Sequence, residues 1–101
     1  MRYYRRIATC GNYKAYTFEL TGFEFEHYCA LKTFIQTLGQ NHYPQTVQVL
    51  RIQQRAFFID FPAYGFPYFK ISFYRQNPQT IIDQYLNLIN DYLNQIKNNK
   101  C

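Results

Sequence analysis

Tryptophan is missing from this chain of 101 residues, and only six acidic side chains stand against eleven lysines and arginines. Without tryptophan, the eleven tyrosines and ten phenylalanines must supply both the core and part of the surface. Charged residues reach only 17%, which is low for a surface facing water, and Gln, Asn and Tyr take their place. A surface rich in Tyr and poor in Lys and Glu has the composition favoured at interfaces. The hydrophobic share of 48% excludes a disordered chain. The length suits one domain, residues 1–101, built on one core.

Cysteine is also scarce. Cys10, Cys29 and Cys101 are odd in number, widely spaced, and form no C-x-x-C. This excludes a disulfide framework and favours a reducing compartment. No apolar run is long enough to cross a bilayer, and "MRYYRRIATC" lacks the apolar stretch of a secretion signal. The expected location is therefore cytoplasmic, with no membrane partner.

The familiar catalytic signatures are absent too: no G-x-G-x-x-G, no P-loop, no G-x-S-x-G and no H-E-x-x-H. Paired carboxylates for acid–base work would have to come from Glu19, Glu24, Glu26 or Asp60. Asp60, inside the apolar "FFIDFP", needs a partner, and Lys70 or Arg75 across a hairpin, or an N–H in the following turn, would serve. Glu24-x-x-His27 has di-iron spacing, but the second half of such a site is missing, so no metal is expected. The sequence gives no reason to expect a cofactor, a small-molecule substrate or an enzyme.

What is present reads as alternating strands and two amphipathic helices. "RYYRRIATCGNYKAYTFEL" predicts a hairpin turning at Gly11-Asn12, with Ile7 opposite Tyr16, Arg5 opposite Phe18 and Tyr3 opposite Leu20. Tyr4, Arg6, Thr17 and Glu19 then share the other face. "LTGFEFEHYCALKTFIQTLG" predicts a helix capped by Thr21 and Glu24, with Phe25, Tyr28, Leu31, Ile35 and Leu38 as its buried stripe and Gly39 as its stop. Cys29 is expected packed or half-packed. "QNHYPQ" reads as a loop holding His42. Strands follow in "TVQVLRIQQ", with a bulge between Val49 and Leu50, then in "RAFFIDF" and "GFPYFKISFYR". Asn77 and Pro78 open the closing helix, which buries Ile82, Tyr85, Leu86, Ile89, Leu93 and Ile96. The expected fold is α+β: an antiparallel sheet in the order β-β-α-β-β-β-α, with both helices on one face.

Two resemblances attach to parts of this pattern. "TGFEFEHYCALKTFIQTLG" looks like the opening helix of Mrr-type restriction endonuclease-like domains. That family places an acidic residue or Gln two before its Lys. Here Tyr68 stands two before Lys70, so no catalytic residue carries over. The order from Thr21 onward is similar to a double-stranded-RNA-binding domain, whose last helix starts with Lys. Here it starts "NPQTIID".

"FPAYGFPYF" carries the functional expectation. Pro62, Gly65 and Pro67 break strand pairing, so Tyr64 falls at a hairpin tip. Tyr64, Phe66 and Tyr68 would be large, preorganised anchors, flanked by Lys70, Tyr74 and Arg75. The reading is a small regulatory protein that binds another protein, or a second copy of itself, through this tip and a Tyr-rich sheet face. The alternative is a single-stranded or structured nucleic acid, stacked on the same rings with Arg51 and Arg55 on phosphates. A net charge of +5 permits this alternative without demanding it.

Overall fold

The computed structural model describes residues 1–7, 11–42, 49–62 and 67–98. Its strands are β1 (Tyr4–Ile7), β2 (Tyr13–Glu19), β3 (Gln40–His42), β4 (Val49–Gln53), β5 (Phe57–Pro62) and β6 (Tyr68–Tyr74). The helices are α1 (Phe25–Gln36) and α2 (Gln79–Asn98). The strands form one six-stranded sheet in the order β1-β2-β6-β5-β4-β3, antiparallel throughout. This is the expected α+β arrangement with one extra strand, since Gln40–His42 pairs with β4 rather than looping. Those three residues are polar and exposed, so no side-chain pattern marks them, and backbone pairing at a sheet edge decides the matter.

One face of the sheet is covered by helices. Phe18 stacks on Phe69 with ring centres 4.8 Å apart and planes within 4°. Phe69 stacks in turn on Phe61 at 5.0 Å, and Tyr28 of α1 meets Phe61 edge-on at 5.8 Å. Phe57 and Phe73 extend the layer toward Tyr85 of α2. Leu31 and Ile35 of α1 and Ile82, Leu86, Ile89 and Leu93 of α2 close over it. The two helices touch where Phe34 stacks on Tyr92 at 4.1 Å. With no tryptophan, a column of phenylalanines does its work.

The first hairpin is one residue out of the expected register. Tyr4 lies opposite Phe18, Arg6 opposite Tyr16 and Ile7 opposite Ala15. A slip of one residue turns every β1 side chain to the other face. Tyr4 therefore packs with Tyr16 and Phe18, and Arg5 and Ile7 move to the uncovered side. The cause lies partly in α2. The Asn90 side chain accepts the Tyr3 N–H and donates to the Met1 carbonyl, both at 2.8 Å, as a neighbouring strand would. Asn94 also donates to the Met1 carbonyl at 2.8 Å, and Tyr4 Oη donates to Asn87 at 3.4 Å. Asn87, Asn90 and Asn94 of α2 thus form a dock for the chain's first residues.

Other boundaries differ for local reasons. Gly22, at φ +91°, makes a turn with Thr21, so α1 starts later, with Glu24 as its N-cap. The Glu24 N–H donates to His27 Nδ1 at 3.1 Å, which engages the histidine in the cap. Phe25, expected in the buried stripe, is 64% exposed, and Cys29 is exposed rather than packed. Gly39 is no left-handed stop: a Cβ there would lie 2.6 Å from the Gln53 carbonyl oxygen, so glycine permits a close approach of backbones. β4 pairs with β5 without interruption from Val49 to Gln53, so the bulge expected at Val49–Leu50 is not formed. The Asn77 amide donates to the carbonyls of Ala56 and Tyr74, and α2 begins at Gln79. Lys97 lies over the rings of Phe23 and Tyr3 at 4.7 and 5.8 Å.

Candidate functional site

The face away from the helices carries alternate residues of each strand. One row runs Arg5, Thr17, Lys70, Asp60, Arg51, His42 across all six strands. Next to it, Ile7, Ala15, Ser72, Phe58, Gln53 and Gln40 form a second row. At one end of the sheet Tyr13 pairs with Tyr74, and at the other Glu19 pairs with Tyr68.

Two parts of this surface differ in how far their groups satisfy one another. Toward β4 and β5, Tyr13, Phe58 and Tyr74 form a mutual cluster, with ring centres 5.3 to 6.1 Å apart. The Arg51 guanidinium lies 4.3 Å above Phe58 and grips Asp60 with two hydrogen bonds, at 2.7 and 3.2 Å. Those bonds to Asp60 are the main reason its pKa is raised above the ordinary arginine value. Asp60 is thus partnered by Arg51 on the neighbouring strand, not by Lys70 or Arg75 as expected. Arg51 presents the bidentate fork that Lys70 lacks, and Arg75 lies beyond the end of β6, five residues past the level of Asp60.

Toward β1 the surface opens. A groove of about 450 Å³ is lined by Arg5, Ile7, Thr17, Glu19, Thr21, Pro67, Tyr68 and Lys70. Thr17, short and buried, makes the floor, and its hydroxyl donates to the Phe69 carbonyl at 3.4 Å. Arg5 and Glu19 form an exposed ion pair at 2.8 Å on one rim. Pro67, whose carbonyl accepts the Leu20 N–H at 2.6 Å, closes the end. Tyr68 is 48% exposed. Lys70 is exposed and, among the described residues, makes no ion pair.

Of the residues singled out in the sequence, the structure brings Tyr68, Lys70, Tyr74 and Arg51 onto one face. Arg75 and Arg55 lie off it, at the far end of β6 and in the β4–β5 turn. β6 has seven residues, so they are about 20 Å from Tyr68 along the strand. Tyr64, Phe66 and the hairpin tip lie outside the described residues. Arg5, Ile7 and Pro67 were not anticipated at the groove. Arg5 and Ile7 would have been found from the sequence had the first hairpin been registered one residue differently.

Comparison with models of known families, with curated proteins and with solved structures finds no match for this chain. Among the described residues no three His, Cys, Asp or Glu side chains converge as a metal site, and no helix is long and apolar enough to cross a membrane.

Tyr28, beneath this sheet in the core, provides a pH handle on the fold. Burial raises its pKa above the ordinary 10.0, with a smaller contribution from Cys29. Below about pH 10 the phenol stays protonated whether the chain is folded or unfolded, and its contribution is constant. At higher pH the unfolded chain ionises first, so stability falls as pH rises toward and through the folded value. Urea midpoints at about pH 8 and about pH 10.5 should drop between the two for the native chain and drop less for Tyr28→Phe. Equal drops would remove Tyr28 as the cause.

Proposed function

We propose that this protein is a small binding and regulatory module that engages another protein through its uncovered sheet face. The observation that carries the reading is the state of that face. It is paved with aromatic rings, and two of its three cations, Arg5 and Arg51, are already neutralised by Glu19 and Asp60. A face of rings and internally paired charges suits a protein surface, where bulky rigid side chains are the common anchors. It suits nucleic acid less well, because tracking a strand needs several free cations in line. Arg55 and Arg75, which were to hold phosphates or flank the anchors, stand at the opposite end of the sheet from Tyr68 and Lys70. The cysteine usage supports a reducing, cytosolic setting, and no grouping among the described residues supports catalysis.

The test is a comparison of three immobilised proteins in extract of the source cells: wild type, Tyr68→Ala, and Gln84→Ala on the exposed side of α2. Proteins held by wild type and Gln84→Ala but lost by Tyr68→Ala are expected. Retention that ignores Tyr68→Ala would sink the reading. So would oligonucleotide binding that collapses between about 50 and 200 mM salt, since phosphate contacts release counterions. If the partner is a second copy of this chain, sedimentation will show a dimer that Tyr68→Ala dissociates.

A further inference from the structure

We infer that the groove above β2 receives a short extended peptide of the partner protein, with an aspartate or glutamate on Lys70 and a large apolar side chain against Tyr68 and Pro67. The inference rests on the binding reading above and specifies what is bound. The walls of the groove stand on β1 and β6, the two neighbours of β2. Strands spaced about 4.8 Å apart set those walls about 10 Å apart, which admits one extended chain. A helix, at about 10–12 Å across with its side chains, does not fit between them. The floor is low because Thr17 is small, and it lies directly between the long Arg5 and Lys70.

Charge selects the peptide. Both acids that could have answered Lys70 are taken: Asp60, opposite it on β5, by Arg51 at 2.7 Å, and Glu19 by Arg5 at 2.8 Å. One cation is therefore left over beside an apolar wall, and one carboxylate beside an apolar side chain complements it. Ile7 and Pro67 supply aliphatic contact, and the Tyr68 ring has no ring or hydrogen-bond partner among the described residues. The self-contained Tyr13, Phe58 and Tyr74 cluster at the other end is already packed and contributes little. A polynucleotide would set several phosphates against the one lysine of the groove, whose other charges, Arg5 and Glu19, form an ion pair.

A phage-displayed heptapeptide library panned on the full chain tests this directly. The expected consensus is an Asp or Glu beside Leu, Ile, Phe or Tyr. A fluorescent synthetic copy of that consensus should bind about tenfold more weakly to Lys70→Glu and about tenfold more weakly to Tyr68→Ala. Lys70→Arg should retain binding, and Tyr74→Ala should change it less than about twofold. These are exposed or partly exposed positions, and melting curves will confirm that each variant folds. No enrichment, or binding indifferent to Lys70→Glu, overturns the inference. An acid-free consensus that still fails on Tyr68→Ala overturns it while leaving the sheet face as the binding surface. Steeply salt-dependent binding of oligothymidylate, lost in Lys70→Glu, assigns the groove to nucleic acid and overturns both.

Discussion

Replacing Phe69 by alanine is expected to destabilise the fold by about 4 kcal/mol. Its ring is fully buried and is sandwiched between Phe18 at 4.8 Å and Phe61 at 5.0 Å. Alanine would remove apolar area from the centre of the sheet and break both stacks, leaving a cavity that three strands must collapse to fill. A domain of this size is stable by only about 5–15 kcal/mol, so the loss is a large part of the whole. Urea unfolding followed by circular dichroism measures it, with Tyr68→Ala as the control one residue away. That ring is half exposed, and its removal should shift stability by no more than about 0.5 kcal/mol. Similar losses at the two positions would mean that the faces of β6 are wrongly assigned.

Gly39→Ala should cost about 2–3 kcal/mol, a large effect for one methyl group. The added carbon would stand 2.6 Å from the Gln53 carbonyl oxygen and 3.0 Å from its carbonyl carbon. Both are backbone atoms of β4, so no side chain can swing aside. Either the link from α1 to β3 lifts off the sheet, or β3 loses its pairing. Gly11→Ala provides the contrast. There φ is +88° with nothing within 4 Å, so the cost is backbone strain alone, about 1 kcal/mol. Thermal melts of the two variants should rank them in that order. A neutral Gly39→Ala would show that β3 is not held against β4 as described.

The two substitutions mark the difference between what was legible in the chain and what was not. Phe69 lies in "YFKISFY", where strict alternation places Phe69, Ile71 and Phe73 on one face and Tyr68, Lys70, Ser72 and Tyr74 on the other. The structure has that division. The stripe Ile82, Leu86, Ile89, Leu93 of α2 was equally legible, because helical spacing and burial are local properties of the pattern. Gly39 was misread because a helix stop and a close backbone approach both call for glycine, and the sequence does not distinguish them. β3 was missed because three exposed polar residues carry no periodicity.

The candidate site divides the same way. Tyr68, Lys70 and Tyr74 follow from the alternation of one strand. Their companions Arg5 and Ile7 depend on the register of a hairpin, and that register answers to Asn90, which is 87 positions from Tyr3 in sequence. Asp60 announced that it needed a partner, and two cations lie directly opposite it, Lys70 on β6 and Arg51 on β4, of which Arg51 makes the two hydrogen bonds.

By itself, then, the amino-acid sequence determined the fold class, the faces of β6 and α2, and a surface of tyrosine and amides in place of abundant charge. These follow from periodicity and composition, which act over a few residues. The tertiary structure alone decided the strand order, the extra edge strand, the face on which β1 lays its arginine and isoleucine, and that Lys70 on the uncovered face makes no ion pair among the described residues. Those depend on contacts between residues far apart in the chain, where a shift of one position reverses a face and no local pattern records the choice.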